Sequence, residues 1–221
     1  MVTTTINFLP NKAYPTLKRK GLEIGNSLGH DLLVRHGSTN KSVVPRAING
    51  LGPCVGLTIF TPKMKFGAHS APEIDTNYNS ITDFISKKID ELRRESRCKD
   101  EEVSAVIYGG IASDTDNITL SSASCNLVDA MEEACNLEGV EPTIITGQFG
   151  DGLNTRINSY IGNQQITMWG NLVDKFNLKL NASQNEIKKI LDEFFEYVKI
   201  PQNTKLEILE NLSPRTELLR K

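Results

Sequence analysis

Between Ser80 and Thr146 the chain alternates twice between an amphipathic helical stripe and a short apolar run, and that order restricts the fold more than any other feature. Ile81, Phe84, Ile85, Ile89 and Leu92 recur at the spacings of one buried helix face, with Lys87, Lys88, Asp90, Glu91, Arg93 and Arg94 opposite. Ser80, with Asp83 three residues on, reads as the start of that helix. Val103–Tyr108 then reads as a strand stopped by Gly109-Gly110. A second stripe from about Ser122 to Leu137 turns Leu127, Val128, Met131, Ala134 and Cys135 inward and ends at Gly139. Pro142–Thr146 is the next strand. Helices alternating with strands put the chain in the α/β class.

The flanks read differently. Residues 1–45 are polar and broken by Pro10, Pro15 and Pro45, which favours short strands or turns joining the core. Cys54–Thr61 is a compact β-rich run closed by Pro62 and Lys63, and Lys65–His69 is its return strand. Past the Gly147–Gly152 turn, Leu153–Tyr160 and Gln164–Trp169 read as a hairpin around Gly162-Asn163, with Trp169 as its anchor. Ser183 with Glu186 makes a capping box. Ile187, Ile190, Leu191, Phe194 and Val198 extend a helical stripe to Pro201, and Leu206, Leu209 and Leu212 form a shorter one. The expected organisation is an N-terminal extension (1–45), a central domain (46–180) and a C-terminal helical appendage (181–221).

Charge excludes several functions. Lys+Arg 25 against Asp+Glu 27 leaves a net charge of -2 without a long basic block, so no nucleic-acid or membrane-surface partner is expected. No apolar run reaches the ~20 residues of a spanning helix, so membrane insertion is not expected. The first residues lack the pattern of a secretory signal. Cys54, Cys98, Cys125 and Cys135 are not spaced as a disulfide framework or a metal site. A reducing, cytoplasmic setting follows as the expectation. The Asn-x-Ser/Thr tripeptides at Asn40, Asn117, Asn181 and Asn211 are then chance matches.

One pair of residues carries chemistry. Cys54 follows Gly50-Leu51-Gly52-Pro53 and opens an apolar strand, a tight loop-to-strand entry at which a thiol can face a cleft beside the N–H groups of Cys54 and Val55. A nucleophilic cysteine needs a base, usually a histidine within hydrogen-bond reach. If 54–61 and 65–69 pair as a hairpin, local pairing alone brings His69 near Cys54. The other candidates lack partners. His30 and His36 have no ligand-spaced neighbours. Asp114–Asn117 opens like a calcium loop, but Thr119 and Cys125 stand where that loop needs Gly and Glu. Gly147–Gly152 is not a phosphate loop, Cys98 lacks a base, and Cys125 and Cys135 read as helix packing.

Gly50–Val55 with the strand after it, and Gly67-Ala-His69, resemble the active-site segment of the CheD family of chemoreceptor glutamine deamidases. Val106–Ala112, the helix over 121–139, Ile145–Gly150 and the 153–169 hairpin resemble that family's later segments in the same order, over residues 45–170. The wider superfamily includes deamidase toxins of the cytotoxic necrotizing factor type. The resemblance implies an α/β sandwich: a mixed or antiparallel β core packed by two main helices, here with the C-terminal helical extension. It implies a cytoplasmic hydrolase that deamidates protein glutamine through Cys54 and His69, without metal or organic cofactor. Its partner would be a chemoreceptor in chemotaxis or, for an effector delivered without a signal peptide, a host protein. Gly52, Pro53 and Gly67 would line the substrate cleft. Ile48 stands where the family has a Thr, which leaves Thr58, Ser70 or a backbone carbonyl to orient His69. Pro53 replaces a Ser and removes one N–H donor from the oxyanion site. The alternative reading keeps the fold as a non-catalytic protein-binding module. Oligomeric state is open on either reading.

Overall fold

In the computed structural model the described residues are 3–10, 46–72, 77–99, 102–111, 118–148, 157–161, 164–170, 173–174 and 177–210. They form two five-stranded sheets and three helices, a mixed α/β architecture. The first sheet runs β10-β1-β8-β7-β2, built from β1 (Thr4–Pro10), β2 (Arg46–Leu51), β7 (Ile157–Ile161), β8 (Gln165–Gly170) and β10 (Thr204–Ile208). The second runs β4-β3-β5-β6-β9, from β3 (Val55–Phe60), β4 (Lys65–Ser70), β5 (Ser104–Ile111), β6 (Thr143–Gln148) and β9 (Phe195–Lys199). Strand β1 lies parallel to both its neighbours, and β5 is parallel to β6. The remaining pairs are antiparallel.

Period-two alternation decides which neighbour each face of the second sheet meets. Val55, Leu57 and Ile59 join Ile81, Ile85, Ile89 and Leu92 of α1 (Tyr78–Ser96) and Leu127, Met131, Ala134 and Cys135 of α2 (Ile118–Leu137) in one apolar cluster. Phe60, Val106 and Tyr108 point the other way, into a second cluster with Ile6, Phe8, Ile166 and Met168 of the first sheet. Both helices therefore cover one face and the first sheet covers the other. The stripe read from the sequence is the buried face of α1, apart from Phe84, which is partly buried. Its start is earlier than Ser80: Asn77 is the N-cap, its Oδ1 accepting the Ser80 N–H at 3.1 Å. The second helix likewise begins at Ile118 rather than Ser122 and is followed by Gly139 at φ 66°.

The C-terminal helical appendage is corrected within the described residues. Ser183 and Glu186 do form a capping box, and α3 (Gln184–Phe194) buries Ile187, Leu191 and Phe194. The helix stops there. Phe195–Lys199 is the edge strand beside β6, and Thr204–Ile208 is the edge strand beside β1. Leu206 and Leu209 suggested a helical spacing of three, yet the buried positions are Thr204, Leu206 and Ile208, a spacing of two, with Lys205 outward. The Gln184 amide accepts from the Leu206 N–H at 2.9 Å and donates to its carbonyl, capping an otherwise open strand edge. Residues 11–45, the Asp114–Asn117 turn, the Leu153–Arg156 start of the first hairpin arm, Gly162-Asn163 and Leu212 lie outside the described residues.

Because α3 seals the cluster between the sheets, Leu191→Ala should lower unfolding free energy by about 2–5 kcal/mol. Urea denaturation followed by far-UV circular dichroism measures this. A loss below about 0.5 kcal/mol would mean that α3 lies on the surface rather than in the core.

Candidate active site

The hairpin expected from the sequence forms as β3–β4, with Gly56 opposite His69 and Val55 opposite Ser70. Cys54 sits one residue before β3, in a bend. Residues two apart on a strand share a face, so Gly56 and Thr58 lie on the side of Lys65, Gly67 and His69, and Cys54 packs in the cluster between the sheets. That side faces the first sheet. Lys65 Nζ donates to the Ile161 carbonyl of β7 at 2.9 Å, and a Cβ placed on Gly67 would lie 2.8 Å from Ile161 Cδ1 and 3.4 Å from Ile48 Cδ1. Cys54 and His69 thus share one surface between the sheets, 9% and 3% exposed. By strand alternation Ser70 falls on the side of Phe66 and Ala68, which pack in the helix-facing cluster.

Two glycines of β5 hold the cysteine backbone. Gly110 N–H donates to the Cys54 carbonyl at 2.9 Å. Gly109 and Gly110 have φ of 91° and 75°, a region that favours glycine. A Cβ on Gly109 would stand 2.9 Å from the Cys54 carbonyl oxygen and 2.9 Å from Leu51 Cβ. The Gly-Gly read as a strand stop is therefore a seat for the Cys54 carbonyl. Helix α2 steadies it, with Ser124 Oγ accepting the Ile111 N–H at 3.2 Å. The chain enters this bend through a register shift in β2 between Ile48 and Leu51. Such irregularities re-aim a strand where it leaves a sheet. Gly52 is buried, Pro53 and Gly67 are half-buried, and Val55 lies within the ladder between Ser70 and Gly109.

Beside the pair runs a chain of hydroxyls absent from the sequence reading. Ser159 Oγ donates to the Ile48 carbonyl at 3.3 Å. Its single hydrogen is then committed, so Tyr108 donates to Ser159 across 2.8 Å and Thr58 donates to Tyr108 across 3.3 Å. Thr58, Tyr108, Ser159 and Ile48 belong to β3, β5, β7 and β2, so this chain ties one sheet to the other. Thr58 shares the His69 side, but its hydroxyl serves Tyr108. Ile48 contributes an apolar side chain and the terminal carbonyl. The sequence did hold a signal: a tyrosine inside a buried apolar strand needs a partner for its hydroxyl.

The other candidates scatter. None of the four cysteines is in a disulfide. Cys125 is exposed on α2, and Cys98 is half-buried just past α1. Burial chiefly, with the Glu132 carboxylate beside it, pushes the Cys135 thiol up to about 12. His30, His36 and Asp114–Asn117 lie outside the described residues. Among the described residues no group of three or more His, Cys, Asp or Glu is placed to hold a metal ion, and no helix is long and apolar enough to cross a membrane.

Two measurements test this construction. Gly109→Ala forces a side chain into left-handed backbone and against the Cys54 carbonyl, so it should destabilise the fold by at least about 1 kcal/mol and displace Cys54. Thermal unfolding and Cys54 alkylation rates report the two effects, and a variant indistinguishable from the parent in both would remove the seat. The second concerns alkaline pH. Burial pushes the Tyr108 phenol from 10.0 to about 12 against the pull of Ser159 and Thr58, and Cys135 moves from 9.0 to about 12. In the unfolded chain both lose protons at lower pH than in the fold. Their contribution is complete below about pH 9 and falls away as pH rises towards 12. Urea midpoints should decline over that window, and less steeply for Tyr108→Phe.

Neither the protein-family models nor the curated proteins compared with the chain match it, so the chemistry of this surface is read from its geometry.

Proposed function

We propose that the chain is a protein-glutamine deamidase in which Cys54 is the nucleophile and His69 its base. The observation that supports this most is the common face: hairpin register sets a thiol and an imidazole on one surface, two residues out of step across adjacent strands. Directly opposite Cβ atoms lie about 4.5–5.5 Å apart and diagonal neighbours about 7–8 Å, a gap that the two side chains can span. The wider likeness of the 45–170 segment to the CheD family points the same way.

In the reaction, His69 takes the Cys54 proton, and the thiolate attacks the glutamine amide carbon. The Cys54 N–H donates to the oxyanion. Collapse breaks the C–N bond, and His69 returns its proton to the leaving ammonia, which leaves a thioester on sulfur. His69 then deprotonates water; attack on the thioester frees the glutamate side chain and restores the thiol. The balance is glutamine plus water giving glutamate plus ammonia, with one negative charge added to the partner at neutral pH. A switch protein or receptor is the fitting substrate class, because such a charge change biases a two-state element. A chemoreceptor and a host protein remain the two substrate proposals, with cytoplasmic action or delivery into a host cell as the matching settings.

One observation favours a second reading. Cys54 and His69 are both buried, and Ile48 brings no hydroxyl to the site. A fold retained as a binding module, without turnover, accounts for both. Incubation with candidate partners separates the readings: the enzyme releases ammonia and adds about 1 Da per glutamine, with Cys54→Ser and His69→Ala lowering the rate at least ~100-fold. Partner binding that survives both substitutions, with no mass change in any protein tested, establishes the module instead.

A further inference from the structure

The row of residues that crosses β5, β3 and β4 at this site reads Tyr108, Gly56, His69. Neighbouring strands are about 4.8 Å apart, so Tyr108 and His69 start roughly 10 Å from each other with only a glycine between them. The tyrosine ring fills that glycine gap. A Cβ built on Gly56 would lie 2.9 Å from both Cε2 and Cζ of Tyr108, so the ring leans across β3 towards the His69 side. The hydroxyl carried on Cζ is fixed by hydrogen bonds to Ser159 and Thr58. Tyr108 is fully buried, as are Ser159 and Thr58. A ring held at the tip by two strands and wedged over a glycine has no alternative rotamer within that space.

We propose that Tyr108 is a positioning residue for His69: its ring forms the wall that sets the imidazole relative to Cys54, and the Ser159–Tyr108–Thr58 chain holds the ring. The proposal rests on the Cys54–His69 reading and adds to it a device reaching from β7. Among the described residues, the titratable groups on this inter-sheet face are Cys54 before β3, Lys65 and His69 on β4, and Tyr108 on β5. Lys65 is held by the Ile161 carbonyl, and neither Ile48 of β2 nor Ser159 of β7 titrates.

The test uses the full chain and iodoacetamide, with Cys54 modification followed by peptide mass spectrometry from pH 5 to 10 beside thermal unfolding. Tyr108→Phe and Ser159→Ala remove one hydroxyl each from the same chain. Each should move the midpoint of Cys54 alkylation towards that of His69→Ala and slow the neutral-pH rate by about tenfold, inside the ~100-fold that a 1 Å misplacement brings. The double variant should be no slower than the slower single one, because both act through one hydrogen-bonded chain. Tyr108→Leu, which removes the ring, should reproduce the His69→Ala profile; if it does not fold, the two hydroxyl variants still decide. Parental profiles in Tyr108→Phe and Ser159→Ala, with a shifted one in His69→Ala, overturn the positioning role and leave the dyad standing. A parental profile in His69→Ala overturns both.

Discussion

Burial of one sheet on both faces is the constraint from which the other features follow. The β4-β3-β5-β6-β9 sheet has helices on one side and a second sheet on the other, so polar side chains within it must find partners inside the protein. Among the described residues three hydroxyl pairs bridge the sheets: Thr4 with Ser104 and Thr143 with Thr204, both at 2.7 Å, and Tyr108 with Ser159 at 2.8 Å. A buried hydroxyl left without a partner costs about 1–3 kcal/mol, whereas a satisfied pair fixes how far apart two layers stand. The register of one sheet over the other is thus set by hydroxyls as well as by apolar packing.

That spacing gives the glycines near Cys54 their meaning. Gly56 leaves room for the Tyr108 ring, and Gly109 leaves room for the Cys54 carbonyl. Each absent side chain is replaced by a group from another strand, so the backbone around the thiol is held from several directions at once. Such a site is stiff. Ser159 of β7 and Ser124 of α2 each hydrogen-bond to β5 beside this site.

The hairpin was legible in the sequence because a short connection leaves few registers, and parity does the rest: with Gly56 opposite His69, Gly56 and Thr58 share the His69 side. The two helices were legible from their stripes. The side taken by Ser70 was not legible, because a one-residue step along a strand reverses the face. Ile48 was visible as an apolar residue before the bend, but Ser159 opposite it was not, because their pairing joins segments 111 residues apart. The C-terminal strands were hidden by arithmetic. Val198 continues the α3 stripe at a spacing of four, and Leu206 and Leu209 repeat at three; only the open edges of β6 and β1, which no local pattern announces, make these residues strands.

Two buried thiols show how the site differs from ordinary packing. Cys135 lies among Leu127, Met131 and Ala134 on α2, where burial and the Glu132 carboxylate both disfavour a thiolate and hold the thiol near 12. A cysteine in such a place is inert at neutral pH. Cys54 is also withdrawn from water, at 9% exposure. What distinguishes it is the imidazole on its own face, since a proton passed from sulfur to His69 leaves an ion pair whose attraction grows as water is excluded. Burial also penalises both charges of such a pair, so on the proposed reading close geometry has to offset that cost. In a close-packed interior the orientation of a side chain is set by the groups packed against it.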